Sequence, residues 1–167
     1  MRYCKRCLFP DTKPDLFFDD EGVCDACRSA EKKHNAEKGI DWDSRANEFN
    51  EIISKYRSKD GLWYDCIVPV SGGKDSTFLV HVMKNVHQMN PLAVTFHQFD
   101  QTPTGEYNLE VLKNLGVDHI HFTLNPNISK KLVEKGFKIV GDSHWVSHVG
   151  IFTVPARIAV NFNIPLI

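Results

Sequence analysis

The sequence predicts an α/β protein, a parallel sheet alternating with helices, with a small N-terminal knuckle built on four cysteines. Three observations predict it. Short apolar runs alternate with amphipathic segments from Cys66 onward, the pattern of strands joined by crossover helices and covered on both faces. Two Cys-x-x-Cys pairs, Cys4-Lys5-Arg6-Cys7 and Cys24-Asp25-Ala26-Cys27, lie in a stretch with no helical period. Between the first strand and the first crossover helix stands an abrupt glycine turn, Val70-Ser71-Gly72-Gly73-Lys74-Asp75-Ser76-Thr77.

The knuckle comes first, over residues 1–30. Pro10, Pro14 and Gly22 break the chain, and Leu16-Phe17-Phe18 reads as a short strand. Sixteen residues separate the two cysteine pairs, a spacing at which Cys4, Cys7, Cys24 and Cys27 can close a tetrahedral Zn²⁺ site. A segment with so little apolar content needs such a staple. With four sulfur ligands the zinc would be structural; an iron–sulfur cluster or four unrelated thiols are the alternatives. Residues 31–61 then form a helical linker. In it Trp42, Ala46, Phe49, Ile52, Ile53 and Tyr56 recur at helical steps, which predicts an amphipathic helix over 43–57 with its aromatics facing a core.

The α/β domain is expected over 62–167. Cys66-Ile67-Val68-Pro69-Val70 is its first strand, with Cys66 a buried strand residue. Thr77 to His87 follows as a helix whose apolar face carries Phe78, Leu79, Val82, Met83 and Val86. Residues 91–96 are a second strand, 104–115 a second helix stopped by Gly116, and 119–123 a third strand with one partly exposed face. Pro126 to Val140 is helical, Gly141-Asp142-Ser143 breaks it, and Ile151 to Phe162 is a helix with Pro155 near its start. Ile164-Pro165-Leu166-Ile167 looks like the opening of a fourth strand, and so abrupt an ending is expected of a chain cut from a longer parent.

Composition bounds the function. The 167 residues suffice for one mid-sized domain and an appendage, and a chain of this size buries roughly 70% of its unfolded surface. Hydrophobic content is 42% and charged content 25%, ordinary for a globular protein. A net charge of −1 gives no global field to recruit nucleic acid or an anionic membrane. No apolar run approaches the roughly 20 residues of a spanning helix, and Met1-Arg2-Tyr3-Cys4 does not open a signal peptide. A cytoplasmic protein without a membrane role is expected, its five cysteines ligands or thiols rather than disulfides.

The glycine turn carries the chemistry. Gly72 and Gly73 permit positive φ and close approach of a ligand to the backbone. The free N–H groups of the following helix favour an anion. Lys74 adds a point charge, and Ser71 and Ser76 add hydroxyls. Asp75 belongs in an anion site only when a cation is shared with the ligand, which indicates nucleotide phosphates with Mg²⁺.

The turn is neither GxxxxGK[ST] nor GxGxxG. Ser71-Gly72-Gly73-Lys74-Asp75-Ser76 after an apolar strand resembles the pyrophosphate loop of the PP-loop ATP pyrophosphatases, a branch of the HUP-like, Rossmann-like adenine nucleotide α-hydrolases. Five stretches are similar to the N-acetyl sugar amidotransferases of surface-polysaccharide (lipopolysaccharide, O-antigen) biosynthesis. They are Met1-Arg2-Tyr3-Cys4 with Pro10-Asp11-Thr12-Lys13-Pro14 and Gly22-Val23-Cys24, then Tyr64-Asp65-Cys66 through Ser76, and His148-Val149-Gly150-Ile151-Phe152-Thr153-Val154-Pro155.

The resemblance implies a bacterial ATP-dependent transferase that adenylates the acetamido oxygen of an N-acetyl sugar, expected to be nucleotide-linked. Ammonia from a glutaminase partner, with a cyclase-like companion, then gives an acetamidine, AMP and pyrophosphate. It implies that Ser71, Gly72, Gly73, Lys74, Asp75 and Ser76 hold ATP, that Lys74 and Asp75 are catalytic, Asp75 helping to place Mg²⁺, and that Thr95-Phe96-His97 lies where adenine binds. The family's pattern also implies cysteines flanking Trp145, where this chain carries His144 and Ser147. His144 and His148 read either as one face of a helix able to bind metal or substrate, or as part of a polar loop. Two rival readings remain. One is a PP-loop tRNA thiolase, disfavoured because Cys66 is the last cysteine and the charge is near neutral. The other is an ATP-binding sensor or scaffold without catalysis.

Overall fold

A computed structural model describes residues 1–37, 39–97 and 101–167. The chain divides into two units, Met1–Phe49 and Asn50–Ile167.

In the first unit, two tight turns are pinned by single antiparallel bridges, Tyr3 to Pro10 and Phe18 to Cys24. The expected strand at Leu16-Phe17-Phe18 is thus reduced to one bridging residue. Helix α1 (Asp25–Glu37) starts inside the second cysteine pair, so Cys27 sits in its first turn. The buried apolar residues here are Cys4, Val23 and Cys24, with Leu16, Phe18 and Cys27 half-buried around them. Helix α2 (Trp42–Tyr56) forms as its periodicity predicts, but of its aromatics Trp42 and Phe49 are exposed and Tyr56 is half-buried. Trp42 is 61% exposed and Phe49 and Ile52 are also exposed; Ile53 is the buried residue. Helical period fixes which residues share a stripe, not whether a neighbouring surface covers that stripe.

The second unit is a parallel sheet with the order β1 (Cys66–Pro69), β2 (Pro91–His97), β3 (Asp118–Thr123). Leu166 adds a parallel bridge to Cys66 on the free side of β1, and the Ile67 N–H donates to the Leu166 carbonyl at 2.9 Å. The chain end therefore pairs as the expected opening of a further strand. Alternation along β1 sends Cys66, Val68 and Val70 into one core layer, with Val80, Met83, Ala93, Leu109 and Leu112. Ile67 joins Leu92, Val94, Ala159 and Ile164 in the other. Burial on both faces explains why these strands read as unbroken apolar runs. Desolvation pushes the Cys66 thiol up to about 12, as befits a buried strand residue.

Helix α3 (Lys74–His81) continues into a π-helical turn, Val82–Val86. Its buried side chains are Val80 and Met83, whereas Phe78, Leu79 and Val86 are exposed. The segment is apolar on two faces and only one meets the sheet, which periodicity alone does not decide. Helix α4 (Pro103–Val111) runs into a 3₁₀ turn, Leu112–Leu115, closed by Gly116 at φ 69. Helices α5 (Pro126–Val140) and α6 (Trp145–Phe162) pack on each other. Helix α6 begins six residues before the expected start at Ile151, which places Pro155 mid-helix rather than near the N-terminus. It buries Val146, Gly150, Pro155 and Ala159, mostly small groups that let it lie close to the sheet. Buried Asp65 fastens the entries of two strands: its carboxylate accepts from the Ser58 N–H at 2.6 Å and the Asn90 N–H at 2.8 Å.

Candidate functional site

Two constellations stand out, one in each unit. In the first, the Sγ atoms of Cys4, Cys7, Cys24 and Cys27 all lie within 4.8 Å of one another. Cys4 to Cys27 is 3.9 Å and Cys7 to Cys24 is 3.6 Å. A tetrahedron with Zn–S bonds of about 2.3 Å has edges of about 3.8 Å, so the four thiols can hold a metal ion such as zinc. An iron–sulfur cluster would interpose several irons and sulfides between the cysteines and spread them further apart. The N–H groups of Arg6 and Cys24 point at the Cys4 sulfur, at 3.4 and 3.3 Å. The backbone N–H of Cys7 is the largest influence bringing that thiol down to about 6. Cys27 goes the other way, pushed up to about 12 chiefly by the Cys7 thiol beside it. Four crowded thiols resist joint ionisation, and a bound cation removes that conflict. The loops are tied down by Arg28, which pairs with Asp19 at 2.6 Å and with Glu21 and Glu31.

In the second unit the glycine turn leaves the carboxyl end of β1 and enters α3. Gly72 has φ +78, and a Cβ there would meet the Gly105 carbonyl at 3.1 Å and Leu109 Cγ at 3.2 Å. Its freedom therefore serves close packing on α4 as well as the turn. Gly73 departs from the expected positive φ: it is extended, φ −78 and ψ 161, and is the N-cap of α3. With no side chain it caps nothing, whereas Thr102 caps α4 and Asn125 caps α5 through their side chains. The first N–H groups of α3, at Lys74, Asp75 and Ser76, are the ones a helix leaves without internal partners. The Ser76 hydroxyl braces the turn, accepting from the Ser71 N–H at 3.3 Å and donating to the Gly73 carbonyl at 3.0 Å. Ser71, Lys74 and Asp75 are exposed.

Beside the turn lies a cleft of about 410 Å³. Its walls include Ser71 from the turn, Thr95 and Phe96 from β2, and Ile151, Phe152 and Pro155 from α6. The wall is predominantly apolar with few polar groups, the usual character of a small-molecule site. Phe96 owes its place to Gly150, where a Cβ would fall 2.4 Å from the ring. Sequence reasoning missed this role; the only signal was a glycine amid helical periodicity. The Thr95 hydroxyl is fully engaged, donating to the Val70 carbonyl at 2.8 Å and accepting from His119 Nε2 at 2.8 Å.

Of the predicted loop residues, the structure brings Ser71 together with Thr95 and Phe96 in the cleft wall, while Lys74 and Asp75 stand exposed at the helix start. It does not bring in His97, whose ring bonds His121 at 2.8 Å on the face opposite Phe96. His144 and His148 belong to a helix start, not a loop: His144 is the N-cap residue of α6 and His148 lies one turn in. Asp142 sits by both, accepting from the His144 N–H at 2.8 Å and lying 3.4 Å from His148 Nδ1. No model of a known protein family matches the chain, and a search of curated proteins finds no match either. Among the described residues no helix is long and apolar enough to cross a membrane.

Proposed function

We propose that the second unit is a PP-loop ATP-binding domain and that the chain is an ATP-dependent N-acetyl sugar amidotransferase acting in the cytoplasm. One observation carries the nucleotide part. An uncapped helix start bearing Lys74 and Asp75 follows a glycine turn and adjoins an apolar cleft of about 410 Å³. The uncapped N–H groups and Lys74 suit a pyrophosphate, the Asp75 carboxylate suits Mg²⁺ shared with it, and the Phe96 side of the cleft suits a flat base. The acetamido substrate rests on the resemblance of Tyr64–Ser76 and His148–Pro155 to the sugar amidotransferases.

The chemistry is coherent with those residues. An amide carbon resists ammonia because its oxygen is a poor leaving group; adenylation turns that oxygen into AMP. Lys74 would stabilise charge on the phosphates while the turn holds them in position, so catalysis would be mainly placement and charge neutralisation. The cysteine-held unit would be structural. A glutaminase would supply the ammonia.

The test incubates the protein with ATP, Mg²⁺, ammonia and a panel of nucleotide-linked N-acetyl sugars, followed by mass spectrometry. Exchange of O for NH lowers the sugar mass by about one unit, with AMP formed in step. AMP without sugar change, or thiolation of added tRNA instead, sinks the transferase reading. Absence of any ATP binding sinks the nucleotide reading as well.

A further inference from the structure

Three histidines project from one face of the sheet at its exposed edge. Parallel pairing sets Ala93 beside His119, Thr95 beside His121 and His97 beside Thr123. Alternation therefore puts His97, His119 and His121 on the Thr95 face, opposite Phe96. His97 Nδ1 lies 2.8 Å from His121 Nε2, with the rings edge-on and centroids 4.7 Å apart. His119 stacks on His121, with centroids 5.7 Å apart and planes within 12°. Its own orientation is fixed by Thr95. Because the Thr95 hydroxyl gives its proton to the Val70 carbonyl, His119 must donate Nε2–H to it.

Two imidazole nitrogens 2.8 Å apart share a single proton at most. We propose that His97 and His121 form a second metal site, a two-histidine site with its remaining positions open to solvent, for a late divalent transition ion such as Zn²⁺. Imidazole is the favoured ligand of Zn²⁺, Cu²⁺ and Ni²⁺. With Zn–N bonds of about 2.0–2.1 Å, two tetrahedral ligands stand about 3.3 Å apart, so the pair need open by only about half an ångström. Glu106 and Glu110 both act electrostatically on His121. Glu110 is already bound to Lys113 at 2.5 Å, so Glu106 is the less neutralised of the two charges. Burial, the largest influence on His121, favours its neutral and ligating form. The site draws nothing from the glycine turn, and its ion would fix the carboxyl end of β2.

The probe is Zn²⁺ itself, titrated calorimetrically into protein whose four cysteines are already zinc-loaded, with imidazole NMR resonances followed in parallel. One further equivalent is expected to bind and to shift the His97 and His121 rings. It should be lost in His97→Ala and in His121→Gln, each checked for folding by circular dichroism. It should persist in His148→Ala. Failure of a further equivalent to bind overturns the proposal. So does binding that survives both histidine changes, or that disappears only in His148→Ala, which would put the ion at Asp142, His144 and His148.

Discussion

The two units are held together by different physics. Around the cysteines, Cys4, Val23 and Cys24 are the buried apolar residues, and the remaining order comes from sulfur contacts, N–H···S bonds and the Arg28 ion pairs. Around the sheet, two apolar layers lie on either side of β1 and β2. A core of three side chains cannot offset the ordering of about fifty residues, since backbone entropy alone costs about 1–2 kcal/mol per residue. The first unit therefore needs a cross-link, whereas the second is large enough to fold by burial. Both can position charged groups, but only the sheet unit combines a rigid apolar wall with an open helix start.

The largest expected effect would separate the units cleanly. Removing the metal by chelation, or introducing Cys24→Ser, should unfold the first unit, because structural zinc contributes on the order of 10–16 kcal/mol in small metal-folded domains. Limited proteolysis should then cut within residues 1–49 while the sheet unit resists; simultaneous loss of both would show that they are interdependent. Next comes Leu112→Ala in the sheet unit. Leu112 is fully buried, so denaturant titration should register a loss of about 2–5 kcal/mol, with zinc content unchanged.

Gly150→Ala should cost about 1–3 kcal/mol through overpacking, as its methyl group would displace the Phe96 ring. Fluorescence titration should also show altered binding of an adenine nucleotide, since that ring lines the cleft. The smallest effect is on pH dependence. Burial, the largest influence in each case, holds His119 and His121 below the ordinary histidine value of 6.5. The unfolded chain then binds protons more readily, so stability should fall as pH drops below about 6.5 and level off once the folded-state values are passed. Thermal melts should show this slope reduced in His119→Gln.

Much of the architecture was legible because it rests on local rules. The two Cys-x-x-Cys pairs announced a four-sulfur cluster, since ligand spacing is itself the constraint. The apolar runs at Cys66–Val70 and Pro91–Phe96 announced strands buried on both sides, and the glycine turn announced a strand-to-helix junction. Other features were invisible. The period of α2 says that Trp42 and Phe49 share a stripe with Ile53, but not that only Ile53 of the three is buried. Sequence places the start of α6 at Ile151, after the Gly141-Asp142-Ser143 breaker, while in the structure the helix, packed on α5 and the sheet, begins at Trp145.

The sequence by itself determined the element types, the parallel alternation and the groups at the glycine turn, because period, turn chemistry and ligand spacing act over a few residues. Only the tertiary structure decided which face of each helix is buried, how Gly150 seats Phe96, and that His97 meets His121. Those depend on contacts between residues far apart in the chain, 54 positions for Phe96 and Gly150, and no local preference encodes them.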